Sequence, residues 1–152
     1  MTHVLEREQL IERPRHELFE FFSDAANLEK LTPGSMSFKI KTPQPITMQQ
    51  GTLIDYEIRL FGVPMKWRTL IDVWEPEARF VDLQLRGPYT LWRHTHTFEE
   101  VEGGTLVRDH VEYTLPLGPL GSIAHAVFVR KQLKTIFDFR AETMRTIFSA
   151  HQ

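Results

Sequence analysis

The chain has 152 residues, 41% hydrophobic and 25% charged, with a formal net charge of -2. That length buries a sizeable core in one domain, residues 1–152, and the near-balance of charge argues against a nucleic-acid module, which carries a basic face. With no cysteine, disulfides, thiolate metal sites and a catalytic thiol are excluded.

The opening segment, MTHVLEREQLIERP, is charged and lacks the continuous apolar stretch of a signal peptide. No apolar run approaches the roughly 18 residues that span a bilayer. The expectation is a cytoplasmic protein with no membrane insertion. Thr2 to Glu12 reads as a strand, with Val4, Leu5, Leu10 and Ile11 as its apolar pairs. Pro14 suits a helix start, and Leu18, Phe19 and Phe22 follow at helical spacing. Ser23 or Asp24 caps a second short helix to Leu31, ended by Thr32-Pro33-Gly34.

Ser35 to Thr42 then predicts a strand with Met36, Phe38 and Ile40 on one face. Thr52 to Phe61 alternates Ile54, Tyr56, Ile58 and Leu60 against Asp55, Glu57 and Arg59. Met65 to Trp74 gathers Trp67, Thr69, Ile71 and Val73 on one side, and Arg79 to Arg86 is a further strand. Leu91 to Phe98 and Thr105 to Leu115 complete the series, joined by turns at Gly87-Pro88 and Glu102-Gly103-Gly104. Short strands on short turns imply an antiparallel meander. After Pro116-Leu117-Gly118-Pro119, the stripe Leu120, Ile123, Ala124, Val127, Phe128, Leu133, Ile136, Phe137, Met144, Ile147 and Phe148 predicts one long helix. Lys131-Gln132 interrupts that stripe and marks a candidate bend. A curved sheet must bury one face, and this helix is the element large enough to cover it.

The segment Trp92-Arg93-His94-Thr95-His96-Thr97-Phe98 is the most informative stretch. As a strand it puts Trp92, His94, His96 and Phe98 on one face, the mix of aromatic and polar groups expected of a cavity wall. A two-residue turn at Gly103-Gly104 would pair Glu102 with Thr105. Parity then sets His94 and His96 on the same face as Val107, Asp109, Val111 and Tyr113. Parity across Gly87-Pro88 stays open, so either Val81 and Leu83 or Asp82 and Gln84 face inward.

The element order resembles the helix-grip fold of the START/Bet v 1-like superfamily over essentially the whole chain. The closest likeness is to the bacterial SRPBCC proteins described as polyketide cyclase/dehydrase-like. It is carried by Phe80-Val81-Asp82-Leu83-Gln84, by Gly87-Pro88-Tyr89 through Trp92, His94, His96 and Phe98, and by Asp109-x-Val111-x-Tyr113-x-x-Pro116-x-Gly118. The helix segment Ile136-Phe137-Asp138-Phe139-Arg140 adds a weaker match. The resemblance implies an α+β helix-grip domain, a seven-stranded curved antiparallel sheet wrapped around a long C-terminal helix, with two short helices after the first strand. It also implies a cavity for hydrophobic or amphipathic molecules such as polyketides, quinones, lipids or sterol-like compounds, and no particular reaction.

On this reading Trp92, His94, His96, Phe98, Asp109 and Tyr113 form one ligand-binding wall, while Tyr56, Trp67 and Phe137 complete the lining. A buried carboxylate needs partners, and an imidazole donating to Asp109 satisfies it and fixes the tautomer. Ligand-orienting hydrogen bonding is therefore the main reading. The rival is a cyclase, dehydratase or hydrolase using His94 or His96 as general acid-base. A metal reading has His94 and His96 as two ligands with Asp109 as a third, but no metal or cofactor is expected. A third alternative is a filled-core protein-interaction module. Arg140 could neutralise an acidic ligand group, although helix arginines are more often solvated. His3, His16, His110, His125 and His151 read as exposed or structural. The expected partner is a hydrophobic small molecule, not a nucleic acid, and oligomeric state is left open.

Overall fold

Segments that alternate with a period of two pair into one sheet, and segments with helical spacing close over it. The computed structural model describes residues 2–149. Strand β1 (Thr2–Ile11) leads to helices α1 (Arg15–Phe22) and α2 (Asn27–Lys30). The meander follows as β2 (Lys39–Ile40), β3 (Leu53–Leu60), β4 (Val63–Glu75), β5 (Arg79–Arg86), β6 (Leu91–Val101) and β7 (Gly104–Thr114). The described chain ends in α3 (Pro119–Ala124), a π-helical turn (His125–Val129) and α4 (Arg130–Ser149). All seven strands form one antiparallel sheet in the order β1-β7-β6-β5-β4-β3-β2. The first strand thus zips onto the last, and the two short helices lie in the connection that carries the chain to the far edge. Among the described residues no helix is long and apolar enough to cross a membrane.

Three local differences from the sequence reading have identifiable causes. The strand expected over Ser35–Thr42 shrinks to Lys39–Ile40, because a 3-10 turn (Gly34–Met36) and the left-handed Ser37 (φ 46°) break the extended run. The β6–β7 turn is Glu102-Gly103, with Val101 opposite Gly104. Gly103 takes φ 89°, which suits glycine. This moves the closing pair by one residue on each side and so preserves the face assignment. The long helix is interrupted by the π-helical turn just before the Lys131-Gln132 break in its apolar stripe.

Strand β6 shows why the pattern works: from Leu91 to Phe98 its residues alternate between half-buried and buried. Two large side-chain clusters fill the space between sheet and helices. One gathers Trp67, Tyr89, Trp92, Tyr113, Leu133 and Phe137. The other packs Leu18, Phe19, Phe22, Phe80, Phe98, Met144 and Phe148. Polar arms fasten α4 to the sheet at β1. Arg7 pairs with Asp138 at 2.8 Å, Gln9 donates to the Ala141 carbonyl at 2.8 Å, and Arg13, just past the strand, donates to the Phe148 carbonyl.

Candidate functional site: a paired carboxylate–imidazole cluster beside a cavity

Register places the chemistry. Against β7, His94 lies opposite Val111 and His96 opposite Asp109. Against β5, His94 lies opposite Asp82 and His96 opposite Phe80. Both imidazoles are buried. Their rings stack 3.6 Å apart, and Phe80 stacks on His96 at 4.0 Å. His94 Nε2 donates to Asp109 Oδ1 at 2.7 Å, and His96 Nε2 donates to Asp82 Oδ2 at 2.5 Å. An ionised carboxylate only accepts, so each bond puts a proton on Nε2.

Arg140, reaching in from α4, completes the cluster. Its Nη2 lies 3.3 Å from His96 Nδ1 and 3.7 Å from Asp109 Oδ1. His96 is therefore a neutral tautomer with both nitrogens engaged, Nε2 donating and Nδ1 accepting. His94 Nδ1, by contrast, stands 3.7 Å from Asp82 Oδ2, outside hydrogen-bond reach. The guanidinium also lies over the rings of Phe22 and Phe137, at 5.4 and 5.9 Å from their centroids.

The electrostatics follow from this crowding. Burial pushes the His96 imidazole down to about 4, with the neighbouring His94 adding to the effect. Burial alone would raise both carboxyls. At Asp109 the Arg140 guanidinium and the His94 bond overcome it and hold the group below the usual carboxylate range. At Asp82 the charge of His94 and the His96 bond do the same. Two carboxylates, one guanidinium and a neutral His96 thus share the cluster.

A cavity of about 150 Å³ lies against this cluster. Its walls are mostly apolar and include Ile58, Trp67, Trp92, Leu133 and Phe137, with Tyr56 beside them. Asp82, His94, His96 and Arg140 form one polar patch on the lining. Two buried donors, Trp67 Nε1 and Arg140 Nε, have no acceptor among the described residues, and both residues line the cavity. A buried unpaired donor costs about 1–3 kcal/mol, which an acceptor on a bound molecule would recover. Donor atoms of Asp82, His94 and His96 also lie within 4.8 Å of one another, close enough for a metal ion. Three of the four imidazole nitrogens are nevertheless committed to carboxylates and to Arg140, whose own positive charge opposes a second cation there.

A family model for polyketide cyclase / dehydrase and lipid transport proteins matches residues 2–148. The chain belongs to that family. Solved structures share its fold at low identity. TTHA0849 from Thermus thermophilus superposes with a TM-score of 0.77 at 16% identity, covering 99% of each chain. The Zhui aromatase/cyclase from Streptomyces sp. R1128 gives 0.69 at 13% identity, over 99% of this chain and 98% of that one. The di-domain ARO/CYC StfQ from the steffimycin biosynthetic pathway gives 0.75 at 12% identity, over 99% of this chain and 52% of its own. No curated protein matches the sequence. Membership in the family makes this a hydrophobic ligand-binding fold of the polyketide cyclase/dehydrase type.

Within that fold, Tyr56, Trp67, Trp92, His94, His96 and Phe137 line the cavity. Asp109 stands behind His94 as its buried partner, outside the lining. Phe98 packs into the second cluster against Phe19 and Phe22, at 5.4 Å between ring centroids in each case. The Tyr113 hydroxyl turns away from the cluster and bonds His125 Nε2 at 2.6 Å. Of the histidines read as exposed or structural, His125 is buried on Tyr113 with His3 stacked 3.6 Å away. His110 pairs with Glu6, and His151 lies outside the described residues.

Two members of the site were not assigned to it from sequence. Asp82 required the β5–β6 register, which the Gly87-Pro88 turn hides. Gln84, the other inward candidate, closes that turn with hydrogen bonds to the Tyr89 backbone N–H and carbonyl. Arg140 had a usable signal, because it follows Leu133, Ile136 and Phe137 at helical spacing and so shares their buried stripe.

Proposed function

We propose that the cavity binds an amphipathic small molecule whose flat apolar body lies between the aromatic walls and whose polar end meets Asp82, His94, His96 and Arg140. The polar end is a neutral carbonyl or hydroxyl, as in polyketides and quinones. The orphaned Trp67 and Arg140 donors call for an acceptor, and the two carboxylates already in the cluster disfavour a third on the ligand. The carrying observation is the cluster of Asp82, His94, His96 and Arg140 on a mostly apolar lining. Asp109 orients His94, and we place the protein in the cytoplasm.

Fluorescence of Trp67 and Trp92 gives the test, read as quenching on titration with a hydroxyanthraquinone and with anthracene. The hydroxyanthraquinone should bind more tightly, and Trp67→Phe, which removes the indole donor and part of the ring while leaving Trp92 as reporter, should narrow the difference. Equal affinity for both compounds, or no change in Trp67→Phe, would overturn the assignment.

A second reading, acid-base catalysis, rests on His94 Nδ1, the one imidazole nitrogen of the pair without a hydrogen bond among the described residues. Turnover of a polyketide-like substrate that disappears in His94→Ala while binding persists would establish it. Persistence of turnover in that variant would exclude it.

A further inference from the structure

One end of the molecule exposes an apolar surface that the fold does not need. Leu117, just before α3, and Leu120, Ile123, Val127 and Phe128, along α3 and the π-helical turn, are each between 56 and 74% exposed. Across from them the β3–β4 turn presents Phe61, 62% exposed, whose ring meets Phe128 edge-on at 6.1 Å, with exposed Val63 next to it. Scattered exposed apolar residues are ordinary; a contiguous patch of this size marks an interaction surface.

Backbone geometry singles out the tips. Phe61 and Leu117 both take left-handed φ, 53° and 73°. Phe61 and Gly62 form a two-residue hairpin turn that favours Asn or Gly at the first position. A large apolar side chain in that conformation carries local strain, and at this exposure it returns little burial.

The charge around the patch is one-sided. Residues 58–71 and 113–137, which build it, contain no Asp or Glu, although the whole chain is net negative. Arg59, Arg130 and Lys131 flank it, are exposed, and make no ion pair with a carboxylate among the described residues. A second copy docking through the same face would set these cations against themselves, since a two-fold contact is isologous. An anionic bilayer complements both features, with apolar tips for the acyl boundary and basic groups for the headgroups.

We propose that this end of the protein docks reversibly on an anionic membrane surface, with Phe61, Leu117, Leu120 and Phe128 dipping into the interface and Arg59, Arg130 and Lys131 on the headgroups. The patch adjoins the cavity through Leu60 and Leu133, which line it immediately after Arg59 and shortly after Lys131 in the chain. Docking would therefore bring the cavity beside the lipid phase.

Vesicle flotation of the full chain tests this, comparing phosphatidylglycerol–phosphatidylcholine vesicles with pure phosphatidylcholine. The protein should float with the anionic vesicles, and binding should weaken as salt rises. Arg130→Glu/Lys131→Glu should lower partitioning by about tenfold or more, since each basic group near such a surface contributes roughly fivefold. Phe128→Glu should abolish binding while its thermal unfolding stays close to wild type. If Phe128→Glu fails to fold, the charge variant alone decides the matter. Absence of binding to anionic vesicles, or equal binding to both, would overturn the proposal. So would a wild-type dimer that Phe128→Glu converts to monomer, because the occupant would then be a second copy.

Discussion

Replacing His96 by Gln should flatten the acid sensitivity of the fold between pH 6.5 and 4. In the folded protein the imidazole titrates near 4, against 6.5 when unfolded. Below pH 6.5 the unfolded chain takes up a proton at this position and the folded chain does not, so falling pH favours unfolding. The folded value is depressed, and the loss is complete once pH passes below about 4. At 1.36 kcal/mol per pH unit, the shift amounts to about 3 kcal/mol. For a chain of this length that is a decrease in Tm of roughly 6–12 °C. Gln keeps an amide donor for Asp82 but cannot take up a proton.

Thermal denaturation of wild type and His96→Gln at pH 7 and pH 4.5 isolates the difference. His3 and His125 are also lowered, by burial first, and contribute with the same sign in both proteins, so they cancel. Asp82 and Asp109 act lower still, as pH falls through and below the ordinary carboxylate value near 3.8. The wild type should lose markedly more stability than the variant on acidification. Parallel losses in the two proteins would refute the neutral, doubly engaged His96.

Asp109→Asn leaves the buried guanidinium of Arg140 with Asp82 as its remaining counter-charge and should destabilise the protein by about 3 kcal/mol or more. Urea unfolding with an unchanged m-value is the measurement, and a loss below about 1 kcal/mol would contradict the pairing. Leu18, fully buried in the second cluster, should cost about 3–5 kcal/mol as Leu18→Ala. Leu133 borders an existing cavity, so Leu133→Ala should cost nearer 2 kcal/mol. The reverse order in chemical denaturation would mean that the cavity wall, rather than the second cluster, is the tightly packed region.

The fold was legible because its signals are periodic and its turns chemically marked. Leu91 to Phe98 could hardly be anything but a half-buried strand, and parity across Gly103 survived a one-residue error in the turn because faces repeat every two residues. That same property put Asp109 on the face of the two histidines, one of which, His94, it pairs with. Asp82 stayed hidden because a connection of several residues after β5 does not fix parity, and its closure depends on a side chain, Gln84, clamping the Tyr89 backbone. Tyr113 shares the predicted face, yet its hydroxyl finds His125, the first residue of the π-helical turn. Arg140 illustrates a different limit: helical phase put it on the buried stripe, but only a paired carboxylate within reach makes burying a guanidinium tolerable.

The buried charges also partition the interior. Most of the cavity wall comes from residues on one side of the Asp82–His94–His96–Asp109–Arg140 belt, and the second cluster contributes only Phe22 and Phe80 to it. Leu18, Phe19, Phe98, Val107, Met144 and Phe148 lie on the other side and contribute nothing to the lining. Changes of shape in the pocket and changes of packing beneath it thus have few shared neighbours, the condition under which their free energies add. Substitutions that reshape the pocket can therefore leave the second cluster, and the stability it contributes, untouched.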